Sequence, residues 1–157
     1  MRITQVELRH IKMVLVSPFV TSMGTEYDEE HIIVRVDGEG ITGWGESVAE
    51  GTPYYSYETV QTAWHILRDF LIPSILGKDL KGVDEAIASY AIVRGHMMAK
   101  AGLEAALWDA FARSENRSLS RMLGGVRDRV DVGVSIGIQP TEEDLIKKVE
   151  GYLAEGY

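Results

Sequence analysis

Three apolar, β-branched stretches occupy the first third of the chain, at Ile3–Leu15, His31–Val36 and Ile41–Ser47. Stretches of this length and composition are typical of β-strands. Asp37-Gly38-Glu39-Gly40 separates the second stretch from the third and predicts a hairpin turn, because glycine adopts positive φ without strain. The links between the stretches are short, so we predict a three-stranded antiparallel meander.

Apolar residues then recur every three or four positions, which predicts helices. Ser56 is expected to cap the first helix and Pro73 to stop it, and Asp84 is expected to cap the second. The clearest helix covers Met97–Ala112, whose alanines and single glycine allow close approach of another element. A short helix over Ser118–Leu123 completes a predicted helical bundle.

The pattern returns to a period of two at Val132–Ile138, which predicts a fourth strand. Thr141 and Asp144 form an N-terminal box for a helix that Gly156 would end. These elements make a single β/α unit. Such a unit leaves a strand edge and a helix face uncovered, so it requires more chain or a partner.

Composition narrows the class of protein. Hydrophobic content of 45% and charged content of 25% indicate an ordinary globular protein, and the net charge of −8 argues against nucleic acid and anionic membranes as partners. No apolar run approaches the ~20 residues that span a bilayer, and no signal-peptide pattern is present. With no cysteine, disulfides and thiolate chemistry are excluded, and we expect a cytoplasmic protein.

Two motifs resemble known sites. Gly133-Val134-Ser135-Ile136-Gly137 matches the nucleophile elbow of α/β-hydrolases, but no histidine follows Ser135 and the serine lies within a predicted strand. In a β/α barrel, the Gly/Ser/Gly row would instead line the interior, where Ser135 either contacts substrate or only packs. Gly43-Trp44-Gly45-Glu46-Ser47 lacks the third glycine of a nucleotide loop and favours close packing of a strand.

Ser17–Thr25 is predicted to be a loop, since Pro18 and Gly24 punctuate it. With Phe19 and several hydroxyl groups, it is either a substrate flap or a surface turn. The histidines are scattered and form no metal-binding pair. From the residues alone, the sequence shows no set of side chains with the spacing of a known catalytic site.

Several motifs follow one another in a recognisable order along the chain. They are Ser17-Pro18-Phe19, Thr21-Ser22-Met23-Gly24-Thr25, Gly43–Ser47, Met98–Glu104 with Trp108-Asp109, Leu123-Gly124-Gly125 and Val132–Ile138. Taken together, these motifs resemble the enolase superfamily. Within it, the chain is most similar to the o-succinylbenzoate synthase/N-succinylamino acid racemase family of the muconate-lactonizing subgroup, over its whole length.

The resemblance implies an α+β fold with a capping domain over residues 1–125, followed by the first unit of an incomplete β/α barrel over 126–157. In this family a lysine removes the proton α to a carboxylate while Mg²⁺ stabilises the enediolate. The lysines and the Mg²⁺ ligands lie on later strands. We therefore expect no catalytic residue and no metal ligand in this chain.

By position in the family, two cap loops and the first barrel strand contact the substrate. The expected substrate-binding residues are Phe19, Thr21, Met23, Glu50, Tyr55 and Ser135. Met23 replaces a frequent aromatic residue, and Glu50 replaces Met or Phe. Burying a carboxylate against an apolar succinyl group is costly, so Glu50 either turns to solvent or meets a different substrate.

Three hypotheses follow. The first is the capping portion of a synthase or racemase that acts on a small carboxylate, completed by the remainder of the barrel and expected to be a homo-oligomer. The second is a dipeptide epimerase or cycloisomerase, which Glu50 supports because it can meet a cationic group. The third is a free-standing binding or oligomerisation module in which Val130–Tyr157 pairs with another chain.

Overall fold

The computed structural model describes residues 1–157 and contains one three-stranded sheet and a set of helices. The elements are β1 (Gln5–Thr21), β2 (Gly24–Gly38), β3 (Ile41–Ser47), α1 (Val60–Ile66), a π-helical turn (Leu67–Leu71), α2 (Ile72–Ile75), α3 (Val83–Ser89), α4 (Met97–Ser114), α5 (Leu119–Met122) and α6 (Glu142–Glu155). None of the helices combines the length and apolar composition required to cross a bilayer. The predicted α+β class is confirmed.

The chain forms two compact units. The first comprises Met1–Met13 with Glu29–Gly125, and the second comprises Val14–Asp28 with Val126–Tyr157. The division expected from the sequence, 1–125 and 126–157, stays a prediction.

The sheet has the order β1-β2-β3, with β2 in the centre. β2 and β3 pair in antiparallel register from Ile32 opposite Ser47 to Gly38 opposite Ile41. Glu39 and Gly40 form the connecting turn, with φ of 52° and 79°. Two consecutive positive φ values match the right-handed twist of the strands, and the predicted hairpin turn is confirmed.

Close packing of β3 on α4 forms the centre of the first unit. A Cβ added at Gly45 would lie 2.2 Å from the carbonyl oxygen of Gly102, and one added at Gly43 would lie 2.2 Å from that of Ala106. The backbones therefore touch where these residues lack side chains, as predicted for the small residues of β3 and α4. The surrounding core is fully buried and includes Ile32, Val34, Val36, Leu67, Leu71, Ile75, Leu103 and Leu107.

The first helix differs from the sequence-based expectation at both ends. Thr59, and not Ser56, is the N-cap: its hydroxyl accepts the amide of Thr62 while the Thr62 hydroxyl accepts the amide of Thr59. Pro73 does not stop the helix, which continues to Ile75. Leu67–Leu71 forms a π-helical turn that ends two residues before Pro73. The wider turn accommodates the proline, whose missing amide donor would otherwise interrupt a regular α-helix.

The start of the second helix also differs from the expectation, whereas the third helix is confirmed. α3 begins after Gly82, whereas Asp84 lies in its first turn, where a negative charge favours the helix dipole. α4 covers Met97–Ser114 and confirms the predicted helix, but its N-cap, His96, has a left-handed backbone and supplies no side-chain cap.

The predicted loop at Ser17–Thr25 is wrong. β1 continues to Thr21 and β2 begins at Gly24, so only Ser22 and Met23 form the turn. Pro18 lies inside β1, which is an edge strand. A proline can occupy an edge strand because an outward-facing position requires no amide donor.

The strand predicted at Val132–Ile138 is not formed. The segment has no hydrogen-bonded partner strand, and Val132 and Ile138 are exposed. Alternating sequence alone does not make a strand, since the ladder requires a neighbouring backbone. The predicted helix does follow as α6, capped by the Thr141 hydroxyl on the amide of Asp144 and ended by Gly156 at a φ of 100°.

Candidate functional site

The tip of the β1–β2 hairpin carries three of the expected substrate-binding residues. Phe19 and Met23 are exposed, by 53% and 62%. The hydroxyl of Thr21 accepts the amide of Met23 at 3.1 Å and donates to the carbonyl of Gly24 at 3.4 Å. Thr21 therefore stabilises the turn, while Phe19 and Met23 present apolar surface.

A second segment, residues 50–59, carries two more expected residues and is called the 50s loop below. Its ends are joined: Glu50 forms an isolated bridge with Thr59, and the Glu50 carbonyl accepts the amide of Val60 at 2.8 Å. Between these ends, Tyr54 and Tyr55 are 76% and 77% exposed. The loop thus holds the backbone of Glu50, whereas the ring of Tyr55 is exposed to solvent.

Glu58 is a buried acid of the 50s loop that the sequence did not single out. It is only 2% exposed, and its two carboxylate oxygens accept the amides of Met98 at 2.9 Å and Ala99 at 3.1 Å. These amides belong to the first turn of α4, which has no side-chain cap of its own. Nothing local in the sequence marks Glu58, because its partners are 40 and 41 residues away.

Ser135 lies in the second unit, in the segment between α5 and α6 that has no regular secondary structure, and it is exposed. Gly133 and Gly137 have open space around them, with no atom within 4 Å of an added Cβ. Ser135 does not occupy the strained turn between strand and helix that a nucleophile elbow requires.

Charged side chains on the first unit pair with one another. His10 Nε2 lies 2.8 Å from Glu30 Oε2, and His31 lies between Glu29 and Glu46 at 3.8 and 3.6 Å. Glu29 and Glu30, at the start of the apolar half of β2, therefore lie beside histidines. No group of three or more His, Asp or Glu side chains is arranged to hold a metal ion.

Two other titratable groups have structural roles. Burial raises the pKa of the Tyr90 hydroxyl, and the negative charge of Glu104 adds to the shift. The Lys100 ammonium donates to the carbonyl of Val93, which holds the segment before α4. Neither arrangement presents a free base to a substrate.

Comparison with known proteins places these features in a family. The family model described as "Mandelate racemase / muconate lactonizing enzyme, N-terminal domain" matches residues 3–124. The chain belongs to this family. Among solved structures, an enolase-superfamily protein from Listeria innocua superposes on 99% of the chain with a TM-score of 0.92 and 36% identity, and 42% of that protein is covered.

Two curated proteins are also similar to this chain in sequence along nearly its whole length. An o-succinylbenzoate synthase from Geobacillus kaustophilus is 48% identical over 156 residues, which is 99% of this chain and 42% of that protein. An N-succinylamino acid racemase from Thermus thermophilus is 43% identical over 157 residues, again with 42% of its length covered. The chain therefore spans about two fifths of these relatives, and the resemblance stated from its motifs is confirmed.

Proposed function

We propose that this chain is the capping portion of an enzyme that acts as an o-succinylbenzoate synthase, an N-acylamino acid racemase, or both. The 48% identity to a synthase along almost the entire chain carries the proposal. In this reaction class, lysines move the proton α to a carboxylate. The synthase activity would supply the dehydration step of menaquinone biosynthesis in the cytoplasm, in a homo-oligomeric enzyme.

The residues of this chain contribute substrate contacts and water exclusion, not proton transfer. The hairpin tip offers Phe19 and Met23, the 50s loop offers Tyr55, and Ser135 offers a hydroxyl from the segment that would become the first barrel strand. No cluster of side chains in this chain is arranged to bind the Mg²⁺ that the superfamily uses. We therefore assign no step through the metal to these residues, and the β/α barrel belongs to the remainder of the protein.

The test is a comparison of substrates with the purified full-length protein. We expect Mg²⁺-dependent turnover of the synthase's cyclohexadiene substrate, of N-succinylamino acids, or of both, with kcat/KM above ~10⁴ M⁻¹s⁻¹ for the better substrate. The proposal is wrong if kcat/KM for the better of these substrates is a hundredfold or more below kcat/KM for a dipeptide. Such a ratio corresponds to about 3 kcal/mol in the activation barrier.

Phe19→Ala in the full-length protein should raise KM about fivefold or more with a smaller change in kcat, because it removes apolar contact made equally in the ground and transition states. Phe70→Ala is the matched control. Phe70 is an equally exposed phenylalanine, at 49% against 53%, but it lies on the π-helical turn, where its ring contacts His65. Equal KM values for both variants and the wild type would remove Phe19 from the site.

A dipeptide epimerase is the second candidate, and Glu50 favours it. The Glu50 backbone is fixed by Thr59 and Val60, and its carboxylate makes no ion pair in the chain. A carboxylate on a backbone fixed in this way can meet an ammonium group of a dipeptide. Glu50→Gln should then lower kcat/KM for dipeptides about tenfold and leave kcat/KM for N-succinylamino acids unchanged.

A reading frame that stops after Tyr157 would instead favour the third hypothesis, a free-standing binding or oligomerisation module.

A further inference from the structure

The 50s loop has little of its own to hold its shape. It contains no helix or strand between Glu50 and Thr59, and its three tyrosines, Tyr54, Tyr55 and Tyr57, are exposed by 76%, 77% and 67%. A ten-residue segment with this exposure would sample many conformations if only its ends were fixed. Something must hold its interior for a side chain such as Tyr55 to keep one position.

Glu58, next to the joined end of the loop at Thr59, attaches the loop to the first turn of α4. Both of its oxygens are used, on the amides of Met98 and Ala99. Hydrogen bonds to a charged group are stronger than neutral ones, and the positive end of a helix dipole adds to them. The amide of Glu58 in turn donates to the Ser56 hydroxyl at 3.2 Å, which extends the constraint toward Tyr55.

The partner of Glu58 is itself rigid. α4 packs on β3 through Gly45 and Gly102 with almost no intervening space, and Leu103 and Leu107 of the same helix are fully buried. The edge of the Tyr57 ring also contacts His96 just before α4, with centroids 6.4 Å apart. The loop is thus attached to a helix that is closely packed in the core of the first unit.

We propose that Glu58 is a positioning residue for substrate binding: by capping α4 it holds the 50s loop, and with it Tyr55, in the conformation that contacts the substrate. This role rests on the proposed function. It differs from a purely structural cap, because loss of Glu58 would disorder the loop and weaken binding before it lowers the rate of the chemical step.

The variants are Glu58→Ala and Glu58→Gln in the full-length protein. Gln keeps one acceptor oxygen and loses the charge, so its effect should be intermediate. Ser118→Ala is the matched control, since the Ser118 hydroxyl caps α5 through the amide of Arg121 and makes no contact with the loop. All variants are first compared by circular dichroism and thermal unfolding.

Two measurements are made on each variant. Chymotrypsin cleaves after tyrosine, so cleavage at Tyr54 and Tyr55 reports loop opening without reference to activity. We expect Glu58→Ala to be cut about tenfold faster than the wild type, Glu58→Gln to be intermediate and Ser118→Ala to be unchanged. In steady-state kinetics we expect KM to rise about tenfold in Glu58→Ala, with kcat within about twofold.

The outcomes separate the two proposals. A wild type that turns over none of the substrates overturns the proposed function, and faster cleavage of Glu58→Ala would then still establish the anchor. An active wild type with unchanged cleavage or unchanged KM in both Glu58 variants overturns the positioning role. An equal rise of KM in Ser118→Ala would also overturn it, because general loss of stability would then explain the effect.

Discussion

Gly45 determines how closely β3 approaches α4. The nearest atoms to an added Cβ are backbone atoms, the Gly102 oxygen at 2.2 Å and the Ala106 nitrogen at 2.5 Å, which cannot move aside as a flexible side chain would. Gly45→Ala should therefore lower the free energy of unfolding by about 3 kcal/mol, at the upper end of overpacking effects. Urea unfolding of the purified chain, followed by tryptophan fluorescence, measures the change.

Gly51→Ala is the control within the same unit. A Cβ there would meet only the Glu30 carboxylate, at an ordinary 3.7 Å. We expect a change within about 0.5 kcal/mol. Similar losses for both substitutions would show that the contact between β3 and α4 is not as tight as described.

Asp69 gives a test of surface electrostatics. The pKa of its carboxyl is lowered from 3.8 to about 2. The largest cause is the hydrogen bond from Arg68, and a hydrogen bond from His65 adds to it. Because the folded pKa is depressed, any stabilisation is present above pH 3.8 and is lost as the pH falls toward 2. A carboxyl titration followed by NMR should give a midpoint near 2 in the wild type and a higher one in Arg68→Ala. A wild-type midpoint at the ordinary value would contradict the contact geometry.

At the scale of elements, the sequence predicted β3 and α4 within two residues and missed the extent of the β1–β2 hairpin. β3 and α4 can be predicted because each has a local pattern of residues with a single period. The hairpin cannot be predicted in this way. Pro18 would break a central strand but not an edge strand, and only the assembled sheet shows that β1 lies at the edge. The continuation of the helix past Pro73 depends in the same way on the π-helical turn before it.

The segment Val130–Gln139 forms no strand and has no hydrogen-bonded partner strand in this chain. If it is the first strand of a barrel, the amides of Val132, Val134 and Ile136 should exchange with solvent at nearly unstructured rates in residues 1–157. In the full-length protein they should exchange at least about a thousandfold more slowly, because neighbouring strands would supply the ladder. Leu107 in α4 serves as a control that is protected in both. Equal exchange of the segment in both proteins would contradict the barrel assignment.

At the scale of the whole molecule, the motifs predicted the family, whereas the surroundings of Glu58 required the structure. Phe19, Tyr55 and Ser135 were expected to bind substrate from their positions in the family, and this assignment stays a prediction. Glu58 was not expected, because a glutamate before a helix is ordinarily a surface residue, and only the folded chain brings it to α4. A residue that binds distant backbone amides leaves no local pattern in sequence.

The central claim is that these residues shape the site and supply none of its catalytic groups. The most direct measurement is the Mg²⁺-dependent turnover of the synthase's cyclohexadiene substrate and of N-succinylamino acids by purified residues 1–157, side by side with the full-length protein. The account predicts turnover by the full-length protein and none above background by residues 1–157. Measurable turnover by residues 1–157 alone would contradict it.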